Sequence, residues 1–144
     1  MNERTGAEMI NRDKNRKDER AMKAIREVFM QRIRSGIIID ALIQIPDWER
    51  RRRIPWPCRV YVLYKESDEK DIGWLHDRIL FELRDAGLRE NEKVRMSFIP
   101  LAPREARDSC IAERASAMNA ISLKELDIDE CLREARDNKF GFNQ

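Results

Sequence analysis

Val60-Tyr61-Val62-Leu63-Tyr64 is an unbroken apolar run of β-forming residues, the pattern of an interior strand covered on both faces. It sets a strand over Arg59–Lys65. Val94, Met96 and Phe98 alternate with Arg95 and Ser97, which predicts a half-buried strand over Lys93–Leu101. Between them Ile72, Leu75, Ile79, Leu83 and Ala86 recur at helical spacing, so Asp68–Ala86 reads as an amphipathic helix. Ser67 and Asp68 are N-cap candidates, and Gly87 is a ready stop.

Upstream, Ala21, Ile25, Val28 and Phe29 form the apolar face of a helix over Asp13–Arg34, closed by Ser35-Gly36. Residues 1–12 are polar and read as a flexible N-terminus; residues 13–144 read as one domain. Ile37 to Ile45 follows as a strand, with Ile37, Ile39, Ala41, Ile43 and Ile45 on one face and Asp40 and Gln44 on the other. Pro103 suits the first turn of a helix reaching about Asn119, with Ala106, Cys110, Ile111, Ala117 and Met118 on its small apolar side. Ser122-x-x-Glu125 and Asp127-x-x-Glu130 both have capping-box spacing, so a last helix starts at one of them, with Ile128, Cys131, Leu132 and Ala135 inward. Phe140 and Phe142 either tuck into the core, the better fit for aromatics, or form a docking tail. The order α-β-β-α-β-α-α predicts an α+β fold, a small three-stranded sheet packed by helices.

Charge sharpens this picture. Charged residues make up 39% of the 144, well above the usual quarter. The net charge of +2 conceals a division: residues 1–60 carry 15 Lys/Arg against 9 Asp/Glu, and residues 61–144 carry 14 against 18. A basic half beside an acidic half favours an anionic partner and can promote self-association. On the first helix Lys14, Arg16, Lys17, Arg20, Lys23 and Arg26 alternate with acids three or four residues away. Local ion pairing explains most of this, and a phosphate-binding helix is the alternative. Cys58, Cys110 and Cys131 form no CxxC pair and suit a reducing cytoplasm. No apolar stretch is long enough for a membrane span and no signal-peptide core is present, so a soluble cytoplasmic protein is expected.

Two places are candidates for contact with a partner. Between Pro46 and Pro57 stand Trp48, Arg50, Arg51, Arg52, Arg53 and Trp56, in a loop that prolines keep irregular. Guanidinium groups pair with phosphates and indoles stack on bases, so this loop suits nucleic acid. It equally suits a protein interface, or tryptophans folded back onto the sheet with solvated arginines. The second place is the far side of the central helix, where Trp74 and Phe81 point the same way, opposite the Ile/Leu stripe. Either a second layer covers them, as for most large aromatics, or they are exposed anchors.

No glycine-rich phosphate loop, nucleophile elbow or metal-ligand spacing occurs. His76 is the only histidine and reads as structural. The acids Glu66, Asp68, Glu69 and Asp71 suit a helix start, with Mg²⁺ binding the alternative. Lys70-Asp-Ile-Gly-Trp-Leu75, Asp85-Ala-Gly-Leu88 and Glu90-Asn-Glu-Lys-Val94 together resemble, over about 30 residues, the core of RusA-type Holliday junction resolvases. That family places D-x-D-N at the start of a helix. Asp71 matches the first acid, Gly73 replaces the second and Trp74 the asparagine; Glu90 and Glu92 stand loosely for a later acidic pair. The resemblance implies a metal-dependent nuclease, here degenerate, using Asp71 with Glu66, Asp68 or Glu90. The residues themselves point first to a non-catalytic regulator that needs no cofactor or metal. It would bind nucleic-acid machinery such as a polymerase or repair complex, with direct nucleic-acid binding the runner-up and a homo-oligomer compatible with either.

Overall fold

A computed structural model of the chain describes residues 3–44 and 57–127, with side chains from residue 19 onward. The elements run α1 (Glu3–Arg34), β1 (Asp40–Gln44), β2 (Cys58–Lys65), a 3-10 turn (Glu66–Asp71), α2 (Ile72–Asp85), β3 (Val94–Leu101), α3 (Asp108–Ala117) and β4 (Ala120–Ser122). A helical turn over residues 123–127 follows. The architecture is the expected mixture of helices and sheet, but the sheet has four strands rather than three, in the order β3-β2-β1-β4.

β1 pairs antiparallel with β2, Asp40 opposite Leu63 and Gln44 opposite Arg59. β2 pairs parallel with β3, Cys58 opposite Val94 and Lys65 opposite Leu101. A parallel pair needs a crossover, and α2 supplies it. Pro100 is tolerated in β3 because β3 is an edge strand, where a missing N–H costs no ladder bond. The extra strand, β4, pairs antiparallel with β1 through Leu42–Ser122, Ile43–Ile121 and Gln44–Ala120. Its three residues are too few to show a period-2 pattern, which is why the sequence does not reveal it.

Helices cover both faces of the sheet. On one face Ile25 and Phe29 of α1 and Leu75, Ile79 and Leu83 of α2 pack on Ala41, Ile43, Val60, Val62 and Val94. On the other, Ile111 and Ala115 of α3 pack on Leu42, Leu63 and Leu101. This explains the uninterrupted apolar run of β2, which has a core on each side. It also corrects the expectation for β1. Alternation holds at Ala41 and Ile43, but Ile37 is 48% exposed and Ile39 packs with the opposite core. The strand starts only at Asp40, because residues 35–39 are spent turning out of α1.

Both long helices stop as their glycines predict. Gly36 and Gly87 have φ of 78° and 81°. Ile37 and Leu88 N–H groups reach back to the carbonyls of Arg32 and Leu83, and Gly36 and Gly87 to those of Ile33 and Arg84. This double bond pattern is the Schellman motif, which needs a left-handed residue at the stop. The starts differ from expectation. The α1 backbone is helical ten residues before Asp13, a stretch whose length the polar composition conceals. Ser67 and Asp68 do not cap α2; they lie in the 3-10 turn, and no side chain caps the helix that begins at Ile72. Pro103 opens a separate turn, held by Glu105 N–H on the Ala102 carbonyl, so α3 begins only at Asp108. Of the predicted apolar side only Ile111 is buried, and Ala115, which is not in that set, is buried beside it. Ser122 caps the helical turn that follows it: its Oγ accepts from Glu125 N–H at 3.2 Å, the N-cap half of the predicted box.

Ion pairs and a buried carboxylate tie the layers. Arg32 of α1 is 7% exposed and pairs with Glu82 of α2. Arg34 reaches Asp127 at 2.5 Å. Asp40 is 1% exposed. Its carboxylate accepts from the N–H groups of Ala41 at 2.7 Å and Lys124 at 3.0 Å, and from the Ser122 hydroxyl.

Candidate interaction surface

The 3.6-residue period of α2 divides its side chains between two surroundings. Leu75, Ile79, Leu80 and Leu83 are buried. Trp74 and Phe81, seven residues apart and therefore nearly superposed in projection, face outward. Trp74 is 68% and Phe81 65% exposed. Among the described residues, no layer covers these two side chains, and the aromatic face of α2 is exposed. Asp77, Arg78, Arg84 and Asp85 are exposed beside them. Large apolar side chains in solvent, rimmed by charge, are the composition of a protein-contact site.

The aromatic pair is legible in the sequence, whereas those four charges do not stand out there, since any solvated helix carries acids and bases. The signal that would have found them is their phase relative to Trp74 and Phe81.

The other candidate, with Trp48, Arg50, Arg51, Arg52, Arg53 and Trp56, lies outside the described residues, as do Cys131, Phe140 and Phe142. The last helix's predicted face at Ile128, Leu132 and Ala135 does too.

A third feature emerges only in three dimensions. A groove of about 790 Å³ runs between α1 and the β4 side of the sheet. Met22, Met30, Ile121 and Leu126 give it apolar walls, and Lys23 and Glu27 stand at its rim. Ile121 is 45% exposed there.

The residues considered for chemistry are dispersed. His76 is half-buried, its ring edge-on to Phe98 at 5.5 Å. Its Nε2 lies 3.4 Å from Glu90 Oε1 and its Nδ1 3.8 Å from Asp77 Oδ1. The imidazole thus braces α2 against the turn before β3. Glu66, Glu69 and Asp71 are exposed around the 3-10 turn and Asp68 is half-buried. Among the described residues, no group of three His, Cys, Asp or Glu side chains is placed to hold a metal ion. Cys58 is buried, and burial pushes its thiol up to about 12, which leaves it protonated and unreactive at neutral pH. Cys110 donates weakly to the Arg104 carbonyl at 3.5 Å.

Among the described residues, no helix is long and apolar enough to cross a membrane. Comparison with family models, with curated proteins and with solved structures gave no match to this chain, so its function has to be argued from its own residues.

Proposed function

We propose that this chain is a non-catalytic regulatory protein that binds nucleic-acid machinery, such as a polymerase or repair complex. The observation that carries the proposal is the exposed Trp74/Phe81 face of α2. Two aromatics left in solvent forgo the stabilisation that burial would give, about 1.5–3 kcal/mol each, unless a partner restores it. The Trp48/Trp56 loop with Arg50–Arg53 supplies the second contact in this reading. Trp and Arg are the residues that most often dominate protein interfaces, and the mechanism is occupancy of a partner surface.

The runner-up is direct nucleic-acid binding by the basic half of the chain, favoured by Arg20 and Lys23 standing exposed on α1. One experiment separates the two. Tagged protein is used to capture partners from extract with and without nuclease treatment, beside Trp74→Ala/Phe81→Ala and a variant with Arg50–Arg53 changed to alanine. The proposal expects a protein partner retained after nuclease treatment and lost from the Arg50–Arg53 variant. Capture that vanishes with nuclease, and falls steeply with salt, supports the runner-up and overturns the proposal.

A further inference from the structure

The charges along the open face of α2 are ordered. Relative to Phe81, at 100° per residue, Arg78 and Asp85 lie along one edge and Asp77 and Arg84 along the other. All four are exposed. Among the described residues, the one contact within salt-bridge distance that any of them makes is Asp77 with His76, at 3.8 Å, which is an ion pair only with the imidazole protonated. The face is therefore an aromatic spine with one acid and one base on each flank, and the order of signs is opposite on the two flanks.

That arrangement is self-complementary in one geometry. A two-fold axis relating two antiparallel helices sets each edge against its own copy. With the axis at Phe81, the two Phe81 rings meet at the centre. Arg78 then comes level with Asp85 of the partner subunit to within one residue, about 1.5 Å along the helix. Asp77 comes equally level with Arg84 of the partner subunit, and symmetry repeats both pairs. Moving the axis to between Asp77 and Arg78 sets Arg78 against its own copy and Asp77 against its own copy. The sign pattern thus favours one register and penalises its neighbour. Two turns from the axis, Trp74 overlies the end of the partner helix, where Ala86 and Gly87 are exposed.

We infer that the occupant of the Trp74/Phe81 face is a second copy of this chain, docked antiparallel on α2 about a two-fold axis at Phe81. This rests on the reading of that face as an interaction surface. It names a second copy, in place of the machinery, as the occupant of that face, and leaves the Arg50–Arg53 stretch, now present twice, as the contact with the machinery. The size is modest. Aromatic side chains bury about 150–250 Å² each, so four of them, about two-thirds exposed, contribute about 500 Å². The flanking charged side chains bring the total toward the lower bound of about 1,200 Å² for a specific interface, the size of a weak, transient contact.

Sedimentation velocity on the full chain, from about 1 µM to about 500 µM, tests it by charge reversal. The wild type is expected to pass from monomer to dimer across this range. Asp77→Arg, which faces Arg84 of the partner subunit, and Phe81→Ala are each expected to weaken the dimer at least about tenfold. The double variant Asp77→Arg/Arg84→Asp restores opposite signs and is expected to return close to wild type; circular dichroism checks that all variants are folded. A wild type monomeric throughout, or a double variant as weak as Asp77→Arg alone, overturns the inference. Either result is independent of the capture experiment, whose outcome depends on the Arg50–Arg53 variant, so failure of the dimer and failure of the proposed function are told apart.

Discussion

Replacing Asp40 separates two roles that one buried carboxylate combines. Its oxygens accept the Ala41 and Lys124 N–H groups and the Ser122 hydroxyl, joining β1 to the helical turn after β4. Asp40→Ala leaves those donors without their acceptor. Each buried donor left unsatisfied costs about 1–3 kcal/mol, and relaxation lets water reach part of the site, so a total of about 3–5 kcal/mol is expected. Asp40→Asn keeps one oxygen for the two backbone donors, and its amide can donate to Ser122 Oγ, so it is expected to cost about 1 kcal/mol or less at neutral pH. The pH dependence distinguishes the roles further. Burial raises the Asp40 carboxyl above its usual value of 3.8, against the lowering effect of the Ser122, Lys124 and Ala41 hydrogen bonds. The folded state therefore holds this proton more tightly than the unfolded state. The stabilisation linked to it is fully present below about 3.8 and is lost as pH rises through the folded value. Urea unfolding of wild type and Asp40→Asn between about pH 3 and pH 7 measures this. Wild type is expected to lose stability relative to Asp40→Asn as pH rises. Parallel stability profiles, or an Asp40→Ala variant within about 0.5 kcal/mol of wild type, would refute the role given to this carboxylate.

Two further changes test the helix layer by chemical denaturation. Glu82→Gln leaves the buried Arg32 guanidinium without its countercharge and is expected to cost about 2–3 kcal/mol, less if solvent enters beside the partly exposed Glu82; Arg32→Met with Glu82→Gln together is expected to recover most of it. Gly73 and Gly87 are both exposed and an added Cβ would meet nothing within 4 Å at either, yet only Gly87 has positive φ, at 81°. Gly87→Ala is accordingly expected to destabilise by about 1 kcal/mol, while Gly73→Ala stabilises by up to about 1 kcal/mol; equal effects at the two sites would show that backbone conformation is not what separates them.

What the sequence disclosed and what it hid follow from the range of the interactions. The cores of α2 and β2 and the glycine stops at Gly36 and Gly87 are set by periodicity and backbone conformation, which are local and legible. The role of Asp40 is not: its partner Ser122 lies 82 positions away and reaches it through a strand of three residues. The groove beside α1 is likewise made of segments remote in sequence. Trp74 and Phe81 were legible as a pair on one face, but the sequence does not tell whether a layer covers them, because that depends on where α3 crosses. It packs on the opposite side of the sheet, against Leu42, Leu63 and Leu101. The order of Asp77, Arg78, Arg84 and Asp85 is plain in the sequence only after the exposed face is known.

The central claim is that the α2 aromatics are open in the free chain and closed by association. It is tested most directly with Trp74 as the sole tryptophan, in a Trp48→Phe/Trp56→Phe background. Acrylamide quenching of its fluorescence is then followed as concentration rises and as captured partner is added. Strong quenching in dilute solution, falling severalfold on association, is the expected result. Quenching that is weak from the outset, or unchanged by association with either a second copy or a partner, would contradict it.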